Sequence, residues 1–252
     1  MLKAFCDYLI ANREINHLCE EEMAREFLSF FALTPPLTEN VLRKRFKKTV
    51  NFESRQLHGE LKGLSVSYGE KNPYIIFDPK AAPANYTILH EIRELTGNRL
   101  DRCRRRKTTE QDCERFAAAA LMPQEDFIKS IHDYGIDIYR LARQYRVSYT
   151  SCTIRIAVLL KTIFFLFRPI GRTVLQASLT SGKLAFYTSL STPLLKDLKP
   201  FDRRYKTWQI AGRNQTISVQ HLNHLIAVLV LPQDKRHLAA SVQGTILFEE
   251  AS

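Results

Sequence analysis

The stretch from Tyr86 to Gly97 contains no proline, and no glycine before its last residue, and it carries His90-Glu91-Ile92-Arg93-Glu94. It reads as a helix with Gly97 as its C-terminal stop. Residues i and i+4 of a helix share a face, so His90 and Glu94 can point at one ion. Glu91 lies beside them and can take a proton from a water that attacks a carbonyl. These are the mechanics of HExxH with the second His replaced by Glu. Alone, HExxE is a weak signal, because helix surfaces are rich in Glu. The apolar run Thr87-Ile88-Leu89 strengthens it, since it suits a helix buried against a sheet. Leu89 and Leu95 suggest that the neighbouring helix surface is buried too. A carboxylate buried there without a cation is costly, so Glu94 is expected to be a metal ligand and not a surface residue.

A basic loop follows, with Arg99, Arg102, Arg104, Arg105, Arg106 and Lys107. Thr108 and Thr109 are N-cap candidates for a second helix running to Pro123. Within it Glu110, Cys113 and Ala117 fall at i, i+3 and i+7. Glu110 therefore projects from the face that Phe116 and Ala120 bury, and is placed to supply a third ligand. Asp112 is the next candidate if that register is wrong.

Around this pair the chain divides by pattern. Residues 1–48 read as helical, with Leu2, Phe5, Leu9 and Ile10 at helical spacing and Pro35-Pro36 as an interruption. The run Arg43 to Lys48 is a solvated face or a phosphate contact. Leu64, Val66 and Tyr68 alternate with small or polar residues, and Tyr74 to Phe77 reads as a buried strand. Strands followed by helices give an α+β layout. Residues 124–134 form a further short helix. From Asp137 to Leu160 the spacing is that of a helix-turn-helix: Ile138, Leu141 and Ala142 make a core stripe, Val147 sits in the turn and Ser148 caps. In that reading Tyr149, Thr150, Ser151 and Thr153 are exposed reading positions, and Arg140, Arg143, Arg146 and Arg155 can hold phosphates. After Arg168-Pro169 the character becomes β, with strands at 174–179, 184–187 and 225–231. We therefore expect one domain over 1–168, closed by the helix-turn-helix-like segment 137–160, and an α/β domain over 169–252. His221 and His224 read as solvated or hydrogen-bonding residues rather than a second metal site, and Trp208 as core.

Composition bounds the function classes. A net charge of +11 favours an anionic partner, nucleic acid among them, or serves solubility alone. The five cysteines are odd in number and no pair has CxxC spacing, which argues against a disulfide framework and a zinc ribbon. A reducing compartment fits best. The N-terminus lacks the apolar core of a signal peptide, and the most apolar stretch, Ile156 to Phe167, is broken by Lys161 and too short to span a bilayer. The expected location is cytoplasmic, with no membrane partner.

Three words carry a family resemblance: TILHEIREL over 87–95, EQDCERFAAAALMP over 110–123 and DIYRLARQYRVS over 137–148. In order and spacing they resemble the ImmA/IrrE family of metallopeptidases, which shows a strand pair, HExxH, ExxAN.FAaxLLMP and then DIxxLAxxFxVS. The resemblance covers about residues 57–160. It implies a gluzincin-type, zinc-dependent endopeptidase that cleaves a partner regulator, often a transcriptional repressor. His90 falls on the first metal ligand, Glu91 on the general base and Glu110 on the acidic third ligand. This sequence departs from the pattern in two places: Glu94 replaces the second His, and Cys113-Glu114 replaces Ala-Asn. The His/Glu/Glu set is harder and more anionic than His/His/Glu, so Zn²⁺ is the expected ion with Mn²⁺ or Fe²⁺ as alternatives. The alternative function is a DNA-binding or ligand-sensing regulator with a vestigial peptidase core, residues 169–252 being the sensor.

Overall fold

The computed structural model describes residues 1–59, 61–67, 72–80, 82–104, 106–167, 174–177, 206–210, 215–222, 225–232 and 244–246. The chain falls into two compact units. One is Met1–Asp126 with Gln144–Val147, the other Phe127–Arg143 with Ser148–Ser252. Both mix helix and sheet, as the α+β reading expects.

In the first unit the helical N-terminal stretch becomes α1 (Leu2–Asn12), α2 (Glu20–Phe30) and α3 (Glu39–Phe46). Each turns one apolar stripe inward: Phe5 and Leu9, Met23 and Phe27, Leu42 and Phe46 are all buried. Their rings interlock. Phe27 lies 5.6 Å from Phe5, 5.7 Å from Phe46 and 5.3 Å from Phe116, with edge-on or offset geometry that suits the ring quadrupoles.

Three short strands follow, β1 (Asn51–Ser54), β2 (Gly63–Val66) and β3 (Tyr74–Phe77), in the order β1-β3-β2. Strand β3 is central because it is the apolar one, with Ile75, Ile76 and Phe77 buried. It pairs parallel with β1 and antiparallel with β2, in the register Ser65 opposite Ile75. Strand β1 carries little apolar alternation, which is why its sequence gave no strand signal. The alternation extending to Tyr68 lies partly outside the described residues.

Helix α4 (Ala84–Leu100) packs on this sheet and on α5 (Glu110–Leu121). It does not stop at Gly97 as the sequence predicts, but runs on to Leu100. Gly97 serves packing instead. A Cβ there would stand 2.5 Å from Thr108 Oγ1 and 2.9 Å from Arg93 Nη1, so only glycine admits the returning loop. Helix α5 begins with a capping box: Thr109 Oγ1 accepts from Asp112 N, and Asp112 Oδ2 accepts from Thr109 N at 2.9 Å.

The second unit holds most of α6 (Gln124–Tyr134) and of α7 (Ile138–Tyr145), all of α8 (Tyr149–Leu160), and a six-stranded sheet. The sheet comprises β4 (Ile163–Phe167), β5 (Val174–Ala177), β6 (Lys206–Ile210), β7 (Gln215–Leu222), β8 (Leu225–Pro232) and β9 (Gly244–Ile246), in the order β5-β4-β8-β7-β6-β9. Strand pairing thus starts at Ile163, ahead of the change in character read near residue 168. The run Leu225 to Leu231 is continuously buried, as expected of a central strand. Buried Gln220 on β7 uses both ends of its amide: Nε2 donates to the Ile136 carbonyl at 2.6 Å and Oε1 accepts from Ile138 N at 2.9 Å. The strand expected at 184–187 and residue His224 lie outside the described residues.

Candidate functional site

The site lies where α4 meets the start of α5. Strand β2 runs beside α4 with Gly63 and Ser65 on the same side, since strand side chains alternate. Gly63 comes so close that a Cβ would be 2.2 Å from Thr87 Cγ2 and 3.0 Å from Glu91 Oε1. Two residues further along, Ser65 Oγ donates to Glu94 Oε2 at 2.9 Å. Neither residue was singled out by motif. The signal was present in the strand pattern, as the small and polar partners of Leu64 and Val66.

His90 and Glu110 come together. His90 Nε2 stands 2.9 Å from Glu110 Oε1, and His90 Nδ1 stands 3.4 Å from Glu91 Oε1. The Nε2 contact is close enough for an ion pair but lacks the direction of a hydrogen bond. Among the described residues the buried side-chain polar atoms without a hydrogen-bond partner are His90 Nε2, Glu91 Oε2 and Thr162 Oγ1. Two of the three therefore belong to adjacent residues of one helix. Burial lowers the imidazole pKa, but the carboxylates of Glu91 and Glu110 outweigh it and hold the ring above its ordinary value. Burial raises the Glu91 carboxyl above the usual carboxylate range. His90 opposes that rise and the neighbouring Glu94 adds to it.

Glu94 is placed differently from the sequence expectation. It is exposed, so the argument from the cost of burying a carboxylate does not apply to it. Its position follows from β2 being the edge strand on that side of its sheet, which covers Glu91 but only flanks Glu94. Glu110 is also open to solvent, its side chain 78% exposed. Among the described residues no three His, Cys, Asp or Glu side chains group closely enough to enclose an ion. Asp112, the fallback acidic candidate, is committed elsewhere. Burial works against its charge, yet the Arg106 guanidinium at 2.7 Å and the Thr109 donors hold its carboxyl at about 2. Cys113 faces inward, and burial pushes its thiol up to about 12, so it stays protonated at neutral pH.

The donor chemistry fits a divalent metal. Two ligand atoms each about 2.1 Å from a tetrahedral zinc stand roughly 3.4 Å apart. The imidazole nitrogen and the Glu110 oxygen are somewhat closer than that, and the nitrogen has no hydrogen bond to give up.

Two arginines of α4 and the following loop serve the scaffold. Arg93 is fully buried and grips Glu20 with two bonds of 2.6 and 2.8 Å, while Nη1 donates to Thr108 Oγ1. Arg104 donates to the carbonyls of Ile15 and Leu18.

The helix-turn-helix-like segment has the expected internal design. Ile138, Leu141 and Ala142 are buried, and Ser148 Oγ accepts from Ser151 N at 3.0 Å. Its proposed reading surface does not hold up in full. Thr153 is buried and donates to the Tyr149 carbonyl at 2.8 Å. The cause is register: Cys152, Thr153 and Ile156 form the inward stripe of α8. Arg155 is buried as well, Arg140 stacks on the Tyr134 ring at 3.6 Å and Arg143 donates to Tyr139 Oη.

No helix among the described residues is long and apolar enough to cross a membrane. All five cysteines are free. A comparison with curated proteins returned no match. Among solved structures the chain is similar to a Mycobacterium tuberculosis transcriptional regulator, with a TM-score of 0.62 at 12% identity over 95% of this chain and 83% of that one. At that identity the likeness is one of fold. The family model of the IrrE N-terminal-like domain, Peptidase M78, matches residues 43–157, which hold the end of α3, β1 to β3, α4 to α7 and most of α8. Residues 43–157 are thus similar to the IrrE N-terminal-like domain, and the His90, Glu91 and Glu110 cluster sits inside the matched stretch.

Proposed function

We propose that this protein is a metal-dependent endopeptidase that cleaves a regulatory protein, such as a transcriptional repressor. The observation that carries the reading is the pair of buried polar atoms without a hydrogen bond, His90 Nε2 and Glu91 Oε2, next to Glu110 in the stretch that matches the peptidase-family model. His90, Glu94 and Glu110 are the residues that would hold the ion, with Zn²⁺ expected and Mn²⁺ or Fe²⁺ as alternatives. When bound, a divalent ion supplies Lewis acidity to a water and to the scissile carbonyl. Glu91 is the general base. Its burial raises its proton affinity, which suits a group that must take a proton and return it. Exposure of Glu94 and Glu110 suits a site that must admit a polypeptide. Residues 1–168 would carry the peptidase and 169–252 a sensory or partner-binding function.

Glu91→Gln tests the assignment. The variant should retain metal, because Glu91 is not a ligand in this reading, and lose turnover of a protein substrate by several orders of magnitude. Equal turnover by wild type and variant overturns it.

A second reading draws on the fold shared with a transcriptional regulator: a DNA-binding or ligand-sensing regulator with a vestigial peptidase core. In that case Glu91→Gln leaves the regulatory output unchanged.

A further inference from the structure

We infer that Ser65 is the positioning residue that makes a glutamate usable where an HExxH helix has its second histidine. The inference rests on the reading of Glu94 as a ligand and adds to it a residue from outside the helical motif. An imidazole has two side-chain torsions and a rigid ring, whereas a glutamate has a further rotatable bond and, when exposed, many rotamers to lose. A carboxylate at this position needs an anchor, and β2 provides one. Gly63 lets the strand approach α4 to contact distance at Thr87 and Glu91. Ser65, two residues on and on the same side, then meets Glu94, with Oγ to Oε2 at 2.9 Å. The pairing of Ser65 with Ile75 on the buried central strand fixes where that hydroxyl stands. One Glu94 oxygen is thus held by the strand. Metal-ligating residues are ordinarily oriented in this way, and loss of the orienting partner lowers metal affinity about 10–100-fold.

The test is Zn²⁺ affinity of the full chain, measured by competition with a chelator, for wild type, Ser65→Ala, Ser65→Thr and Glu94→Ala. The unfolding midpoint of each metal-free protein controls for the fold. Ser65→Ala should weaken binding about 10-fold or more with an unchanged midpoint. Ser65→Thr, which keeps the hydroxyl, should bind within a few-fold of wild type, and Glu94→Ala should bind at least as weakly as Ser65→Ala. If Ser65→Ala binds as tightly as wild type, or more tightly, while Glu94→Ala is weakened, the role of Ser65 is wrong and the ligand reading stands. If Glu94→Ala also binds like wild type, the ligand reading fails and takes this inference with it.

Discussion

Along α4, His90 and Glu91 keep buried polar atoms without a hydrogen-bond partner among the described residues, whereas along α7 the charged residues that a nucleic-acid reading needs are engaged within their own unit. Arg140 lies on Tyr134, and Arg143 donates to Tyr139. Both helices carry a recognisable sequence word, and both place apolar residues on one face. The difference lies in what remains after folding. A buried nitrogen or carboxylate oxygen with no hydrogen bond is expensive, so it persists where a ligand offsets it. A guanidinium stacked on a ring has already found its partner. The same contrast holds within α4, where His90 Nε2 makes no hydrogen bond and Arg93, three residues on, is tied to Glu20 and Thr108.

The sharpest way to break the comparison on the stability side is Arg93→Leu. If Arg93 is scaffold, removing it strands Glu20 in the core and destabilises the protein by about 3–5 kcal/mol, read from denaturant unfolding. A loss below about 1 kcal/mol would mean that the buried pair does not hold α4 in place. A smaller effect is expected on the other side. Arg140→Ala should lower stability by about 0.5–1 kcal/mol through the lost ring contact. It should leave any low-salt binding to duplex DNA, followed by fluorescence anisotropy, within about twofold, since a phosphate contact would instead appear as a loss that is largest at low salt and shrinks as salt rises. A large drop in duplex affinity with unchanged stability would reverse the roles assigned to α7.

Much of α4 and α5 was legible because their signals are local. The spacing of His90 and Glu94, the Thr109 cap and the Phe116-Ala117-Ala120 stripe each lie within one helix and its first turn. The parts that were not legible depend on which element approaches which. Gly97 looked like a stop, yet it is kept by the closeness of Thr108. Glu94 looked buried because its neighbours Leu89 and Leu95 are apolar, but an edge strand flanks it without covering it. Ser65 carried no motif, and its meeting with Glu94 spans 29 residues of sequence. Thr153 looked like a reading residue because helix-turn-helix spacing fixes the turn more firmly than the rotation of the second helix.

The central claim is that His90, Glu94 and Glu110 hold a divalent ion. Elemental analysis of the purified full chain after zinc reconstitution and removal of free metal, beside His90→Ala and Glu110→Ala, tests it most directly. The account predicts stoichiometric metal in wild type and a sharp fall in both variants, with no large loss of fold. Equal metal in all three proteins, or none in wild type, would contradict it.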